Sequence, residues 1–166
     1  MWARNTGSLL STLQGHKDYI NKICVTQDNK TILSAAQDGV RFFDLENMNS
    51  LGGYKTESIM DIGEVIDKKT NESSVIFANQ KKLYVLPVST IRGSKKGKIE
   101  TYDFKIYNFA SKLHENSVNI TTLTITPEGM VFLGFSEGQI IMFDFHKLND
   151  AKPQPFNDMD EDLDKI

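Results

Sequence analysis

The sequence has very little cysteine and no long apolar run. Cys24 is the only cysteine among 166 residues, so an internal disulfide framework and a cysteine-based zinc site are excluded. No apolar stretch approaches the roughly 18–20 residues that a membrane-spanning helix needs. The N-terminal residues MWARNTGSLL lack the basic-then-apolar order of a secretory signal. These absences predict an intracellular protein, cytoplasmic or nuclear, without a membrane span.

The chain also lacks a strong excess of either charge. It carries 19 Lys and Arg against 22 Asp and Glu, a net charge of −3, which argues against a basic nucleic-acid binder. Six of the acids and only two lysines fall in residues 149–166. We therefore expect a folded body over residues 1–148 and an acidic, flexible tail over 149–166.

Recognisable catalytic and cofactor motifs are missing as well. No Gly-rich nucleotide loop, paired-carboxylate arrangement or Cys/His nucleophile pattern occurs. The three histidines lack metal-ligand spacing. The sequence therefore predicts a protein that is not an enzyme and that uses neither a metal nor a cofactor.

What the sequence does have is a strand-like alternation of apolar residues in short runs. Thr31–Ala35 and Val40–Leu45 flank the turn residues Gln37-Asp38-Gly39, and Val131–Gly134 and Ile140–Phe145 flank Ser136-Glu137-Gly138. Runs of this length, separated by residues that tolerate tight turns, are typical of antiparallel hairpins. The pattern predicts an all-β fold.

Two segments follow the same order of residues: GHKDYINKICVTQDNKTILSAAQDGVRFFDL at 15–45 and LHENSVNITTLTITPEGMVFLGFSEGQIIMFDF at 113–145. Each begins near a histidine, His16 or His114. Each has an acid 22 or 23 residues later, Asp38 or Glu137, and a closing Phe-Asp pair at Phe43 or Phe143. This arrangement resembles the WD-repeat (WD40-type) β-propeller family, whose repeats run from Gly-His to Trp-Asp over about 40–45 residues.

The resemblance implies about three blades of the family's four-stranded antiparallel type, two of them with four strands and the last with three of its own. The expected blades cover residues 16–54, 55–109 and 110–146, and residues 9–13 supply an outer strand to a neighbouring or last blade. Propellers typically have about four to eight blades. We therefore expect an incomplete propeller that is part of a longer one, or that is completed by a second copy or a partner chain.

The middle repeat is degenerate, because no Gly-His precedes it and Leu86 stands where the closing aromatic belongs. Residues 58–67, 73–78 and 82–88 read as its strands. Residues 88–104 allow two registers. One is a basic loop over 92–98 that leads into the outermost strand, and the other makes this stretch an inner strand.

The resemblance also assigns structural roles to several side chains. His16, Ser34 and Asp38 take the places of the family's hydrogen-bonded network, with Phe43 in place of the tryptophan and without its N–H donor. Glu137, Phe143 and His114 take the corresponding places in the last repeat. A Ser-His-Asp nucleophile is the competing interpretation of the first set, and the resemblance favours the structural one.

The expected function is a non-catalytic scaffold that binds other proteins, whose identity the sequence does not specify. The predicted partner-binding residues, at one end of the blades, are Lys17, Tyr19, Gln37, Asn119 and Ser136. Tyr19 is the best anchor, because a partly buried aromatic residue at a rim is the usual kind of interface hot spot. Unpaired strand edges offer a partner a second way to bind, by strand addition.

The alternative function is binding of an anion, a phosphoinositide or a nucleic-acid backbone by the loop at residues 92–98. Its candidate ligands are Arg92, Lys95, Lys96 and Lys98, because glycines beside them let backbone amides approach an anion. A solvated basic loop is the simpler interpretation of these charges.

Overall fold

A computed structural model describes residues 1, 3–93, 105–108 and 119–150, with backbone only for 105–108 and 148–150. These residues form eleven strands and two short helices. The strands are β1 (Ile20–Val25), β2 (Thr31–Ala36), β3 (Gly39–Asp44), β4 (Ser50–Tyr54), β5 (Ile59–Ile66), β6 (Ser73–Asn79), β7 (Lys82–Pro87), β8 (Lys105–Asn108), β9 (Ile120–Ile125), β10 (Met130–Phe135) and β11 (Ile140–Asp144). The helices are α1 (Val88–Gly93) and α2 (Phe145–Asp150).

The strands form three antiparallel sheets of consecutive strands, which we call the first, second and third blades. Their strand orders are β1-β2-β3-β4, β5-β6-β7-β8 and, among the described residues, β9-β10-β11. Each blade is a meander of consecutive strands; short turns join all of them except β7 and β8, which residues 88–104 separate. Gly39 supplies the positive φ that the β2–β3 turn needs. The predicted all-β architecture of blade-like sheets is confirmed.

The second blade is covered on both faces, and its strands show why. Val75 and Phe77 of β6 are buried in a core shared with the first blade. Ile76 and Ala78, the residues between and after them, are buried in a second core shared with the third blade. Successive strand residues point to opposite faces, so a continuous apolar run satisfies two blade–blade interfaces at once.

The structure differs from expectation after β7. The predicted strand at 82–88 ends at Pro87, which has no N–H to donate to a sheet. Val88 and Ile91 of α1 are buried in the core between the first two blades. The strand β8 takes the outermost position of the second blade. Residues 94–104 lie outside the described residues, so the register of that stretch remains a prediction.

The outer strand expected at residues 9–13 stays a prediction, because it was expected to pair with a neighbouring or last blade. Leu9 makes one isolated bridge, while the backbone amides of Leu10 and Ser11 donate to the carbonyl of Met1. The N-terminal amine of Met1 donates to the carbonyl of Ser11. These backbone groups are bonded within the N-terminal segment rather than to a sheet edge. The helix α2 also covers residues 149 and 150, where the tail was expected to begin.

The core shared by the first two blades predicts that a cavity there strongly lowers the free energy of unfolding. Leu33 is fully buried there, so Leu33→Ala should lower the free energy of unfolding by about 2–5 kcal/mol. Leu10→Ala is the matched control, because Leu10 is exposed, and its effect should be below about 1 kcal/mol. Urea unfolding followed by circular dichroism measures both. Equal losses would contradict this packing.

Candidate functional site

A buried polar network connects the segment before β1 to the second strand and the following turn. The Nδ1 atom of His16 lies 2.6 Å from Oδ1 of Asp38, and its Nε2 atom lies 2.7 Å from Oγ of Ser34. A carboxylate only accepts hydrogen bonds, so Nδ1 carries the hydrogen towards Asp38. In the neutral ring, Nε2 then accepts from the Ser34 hydroxyl. The network thereby satisfies polar groups that are costly to bury alone.

His16, Ser34 and Asp38 are connected in the order of a catalytic Ser-His-Asp triad, but the serine is not accessible to a substrate. Ser34 is only 3% exposed, and its hydroxyl also lies 3.4 Å from the carbonyl oxygen of Arg41. A nucleophile must reach a substrate carbon, and a serine inside a sheet does not. The buried ring of Phe43 lies on the adjacent strand, where Phe43 pairs with Ile32.

The corresponding residues of the third blade are only partly described. His114 lies outside the described residues. Glu137 is exposed in the turn between β10 and β11, and Phe143 packs, partly buried, against the core shared with the second blade. The structure therefore places the first network fully and leaves the second as an expectation.

The Asp38 carboxylate extends the network to the end of the first blade. Its second oxygen, Oδ2, accepts a hydrogen bond of 3.0 Å from the Lys17 backbone amide. Burial raises the pKa of Asp38, but the hydrogen bonds from the Lys17 amide and from His16 outweigh it, so its pKa lies below the usual range. The carboxylate thus binds the backbone two residues before Tyr19.

The main chain of Tyr19 is hydrogen-bonded, whereas its side chain is exposed to solvent. Its amide donates to Oδ1 of Asp18 at 2.8 Å, and its carbonyl accepts from the Gln37 amide at 3.0 Å. Its side chain is 82% exposed, and no other aromatic residue is among the exposed large hydrophobic residues of the described chain. A hydrogen-bonded backbone thus presents a solvated aromatic ring.

Asn119 and Ser136 form the same pairing in the third blade. The Asn119 amide donates to the Ser136 hydroxyl at 3.1 Å, and the Ser136 amide donates to the Asn119 carbonyl at 2.9 Å. Both pairs join the start of a blade's first strand to the turn between its second and third strands. The predicted partner-binding residues therefore lie at the same end of their respective blades. We call Lys17, Tyr19, Gln37, Asn119 and Ser136 the rim.

The sequence did not indicate that residues of the second blade also lie at this end of the blades. Ser58 precedes β5 and Gln80 follows β6, the positions that Tyr19 and Gln37 hold in the first blade. The Gln80 carbonyl accepts from the Ile120 amide at 2.8 Å, which ties this turn to the third blade. The signal was present in the strand boundaries, but the degenerate repeat offered no histidine from which to align it.

Arg92, a candidate anion ligand, is already bound to a carboxylate. Its guanidinium contacts Asp28 at 2.7 and 3.0 Å, and its Nε donates to the Thr31 hydroxyl at 3.1 Å. The hydrogen bond from Arg92 is the main reason that the pKa of Asp28 lies well below its usual range. Arg92 thereby links the second blade to the first. Lys95, Lys96 and Lys98 lie outside the described residues.

Neither Cys24 nor the described acids and histidines form a reactive or metal-binding cluster. Burial raises the pKa of the Cys24 thiol to about 11, so the nucleophilic thiolate is scarce at neutral pH. Within the described ranges, no group of three or more His, Cys, Asp or Glu side chains is placed to hold a metal ion. The described residues contain no helix long and apolar enough to cross a membrane.

The network predicts a specific pH dependence. Because the pKa of Asp38 is lowered on folding, its ionised form stabilises the fold above the ordinary aspartate pKa of about 4, and this stabilisation is lost as pH falls below it. Asp38→Asn should therefore cost about 1–3 kcal/mol at pH 7 and progressively less below pH 4. Urea unfolding of both proteins between pH 3 and pH 7 measures this difference. A constant difference over that range would contradict the role of the charge.

A known protein and a solved structure are similar to this chain. No family model matches the sequence. Cilia- and flagella-associated protein 251 of Mus musculus is 37% identical over 67 residues, which cover 39% of this chain and 5% of that protein. The crystal structure of the C-terminal WD40 domain of Sif2 superimposes with a TM-score of 0.57 at 19% identity.

The superposition covers 82% of this chain and 34% of the solved one, so the chain spans about a third of that solved chain. Its consecutive antiparallel sheets, two with four strands and one with three described strands, are stacked face to face as the blades of a propeller are. The chain therefore has the WD40-type β-propeller fold.

Proposed function

We propose that this chain is a non-catalytic scaffold that binds protein partners through the rim, as one part of a multiprotein assembly. The observation that carries the proposal is Tyr19, which is almost completely exposed on a backbone held at both its amide and its carbonyl. Tyrosine offers a large amphipathic contact at a low cost in conformational entropy. An aromatic ring presented in this way is suited to anchor a partner.

The buried network supports this role by fixing the rim before a partner arrives. His16 holds Asp38, and Asp38 holds the backbone of Lys17, two residues before Tyr19. A surface that is already ordered loses less entropy on binding. The same network that stabilises the first blade thus preorganises the proposed anchor.

The remaining rim side chains are suited to an extended polypeptide. Gln37, Asn119 and Ser136 carry amide or hydroxyl groups, which both donate and accept hydrogen bonds, and Lys17 adds one positive charge. Such a set around an aromatic anchor can pair with the main chain of a peptide. The WD40-type fold is typically a protein-interaction scaffold, which agrees with this chemistry.

Two further observations support a non-catalytic role. The candidate nucleophile triad of His16, Ser34 and Asp38 has its serine buried, and the pKa of the Cys24 thiol is raised. We propose an intracellular location, cytoplasmic or nuclear. The similarity to cilia- and flagella-associated protein 251 favours an assembly of the cilium or flagellum.

The anion-binding alternative is not favoured, because the Arg92 guanidinium is already paired with the Asp28 carboxylate.

A peptide-display selection against the whole chain tests the rim. Peptides that bind should lose at least tenfold in affinity for Tyr19→Ala, since a hot-spot aromatic contributes about 2 kcal/mol or more. Tyr19→Phe keeps the ring and should stay within about threefold of the unaltered chain. Fluorescence anisotropy of the labelled peptides measures the affinities.

Lys68→Ala is the control for this experiment, because Lys68 is exposed in the turn between β5 and β6, at the opposite end of the blades. It should leave peptide affinity unchanged, and circular dichroism should show all variants folded. Peptides that bind the Tyr19→Ala and unaltered chains equally well would refute the rim as the binding surface.

A further inference from the structure

A buried carboxylate on the first strand of the second blade contacts the first strands of both neighbouring blades. It belongs to Asp61 of β5, which is 7% exposed. Its Oδ1 atom lies 3.5 Å from the ammonium of Lys22 in the first blade. Its Oδ2 atom accepts hydrogen bonds of 3.2 Å from the Thr122 hydroxyl and 3.1 Å from the Leu123 amide, both in the third blade. One side chain thus joins three blades.

The two neighbouring side chains hold equivalent positions in their strands. Lys22 lies three residues after Tyr19, and Thr122 lies three residues after Asn119. In β1 and in β9, the pairing with the blade's second strand is irregular between the first strand residue and this position. Three strand residues span about 10 Å, so Asp61 contacts both neighbours at the same distance from the rim.

Stability alone does not account for a carboxylate at this place. Taking a carboxylate out of water is costly, and a buried ion pair often contributes no more to stability than apolar side chains of similar volume. Apolar cores already lie on both sides of the second blade. Attraction in an apolar core is non-directional, whereas hydrogen bonds require a narrow range of distances and angles. The cores thus hold the blades together, while Asp61 restricts sliding of one blade along the next.

Two further hydrogen bonds align the same three blades at their rim end. The Asn21 side-chain amide of the first blade donates to the Ile59 carbonyl of the second at 2.7 Å. The Ile120 amide of the third blade donates to the Gln80 carbonyl of the second at 2.8 Å. With the contacts of Asp61, they fix the first and the third blade to the same neighbour.

We infer that Asp61 is a positioning residue of the rim. It fixes the distance between Tyr19 on the first blade and Asn119 and Ser136 on the third, and so selects an extended partner segment that spans both blades. A segment anchored at Tyr19 reaches the polar groups of the third blade without an ordering cost only if this distance is already set. The partner named here rests on the proposed function, whereas the fixed distance rests on the contacts of Asp61 alone.

Asp61→Leu tests the fixed distance, because leucine has a similar volume and accepts no hydrogen bond. Nitroxide labels on Gln37→Cys and Glu137→Cys report the distance by pulsed electron paramagnetic resonance. Both positions are exposed in turns at the rim end, one in the first blade and one in the third. Cys24→Ser in every chain removes the one native thiol. The distance distribution should be narrow with Asp61 and broader with leucine.

Glu72→Leu is the matched control, because Glu72 is an exposed acid before β6, at the opposite end of the blades. It should leave the distribution narrow. An equally narrow distribution for Asp61→Leu would overturn the inference.

A double variant covers the case in which Asp61→Leu does not fold by circular dichroism. Lys22→Met with Thr122→Val removes the two side-chain contacts and leaves the Asp61 carboxylate with its backbone donors. Lys22 is half-exposed, so this chain should fold. Its distribution should also be broader than that of the unaltered chain, and a narrow one would overturn the inference.

Peptide affinity is a readout that a loss of stability alone would not move. Peptides that lose affinity with both Tyr19→Ala and Asn119→Ala contact both blades. Asp61→Leu should weaken them about fivefold, the factor expected when one or two groups of a binding surface lose their order. In the Asp61→Leu chain, the effect of Asn119→Ala should shrink while that of Tyr19→Ala persists. Effects of both substitutions that stay as large as before would assign Asp61 a structural role only and overturn the inference.

The two measurements separate failure of this inference from failure of the proposed function. Peptides that are indifferent to Tyr19→Ala would refute the rim as the binding surface and leave the distance measurement valid. An unchanged distance in a chain whose peptides depend on Tyr19 would overturn the positioning role of Asp61 alone.

Discussion

The fold depends on the need to cover both faces of an apolar sheet. The second blade has alternating residues of β6 committed to opposite sides, with Phe77 in the core of the first interface and Ile76 in the core of the second. Neither face is stable in water, so the blade requires a neighbour on each side. Its meander topology, its stacking order and the helix α1 over the first core all meet this requirement.

Polar contacts also join the stacked blades to one another. Arg92 binds Asp28 and so joins the second blade to the first, while Asp61 links the inner strands of all three blades. The Ser34, His16 and Asp38 network instead joins a blade to its own end. Because every member of that network has a partner, it stabilises the first blade and fixes the backbone from which Tyr19 projects.

The ends of the stack follow from the same constraint. Ile23 of the first blade and Ile140 of the third blade are exposed, whereas their counterparts inside the stack, Ile62 and Val40, are buried. The rim and the blade faces are therefore different kinds of surface. The rim is polar with one exposed aromatic side chain, whereas the faces that pack between the blades are apolar.

The sequence by itself determined the strands that flank tight turns, because these depend on local alternation, and its resemblance to the WD-repeat family implied the network of His16, Ser34 and Asp38. It did not determine the outer strand at residues 9–13 or the helix α1, since both depend on which distant groups remain unbonded. Only the tertiary structure decided that Arg92 is occupied and that Ser58 and Gln80 share the end of the blades with Tyr19. Those outcomes require two blades to be stacked, which no local pattern encodes.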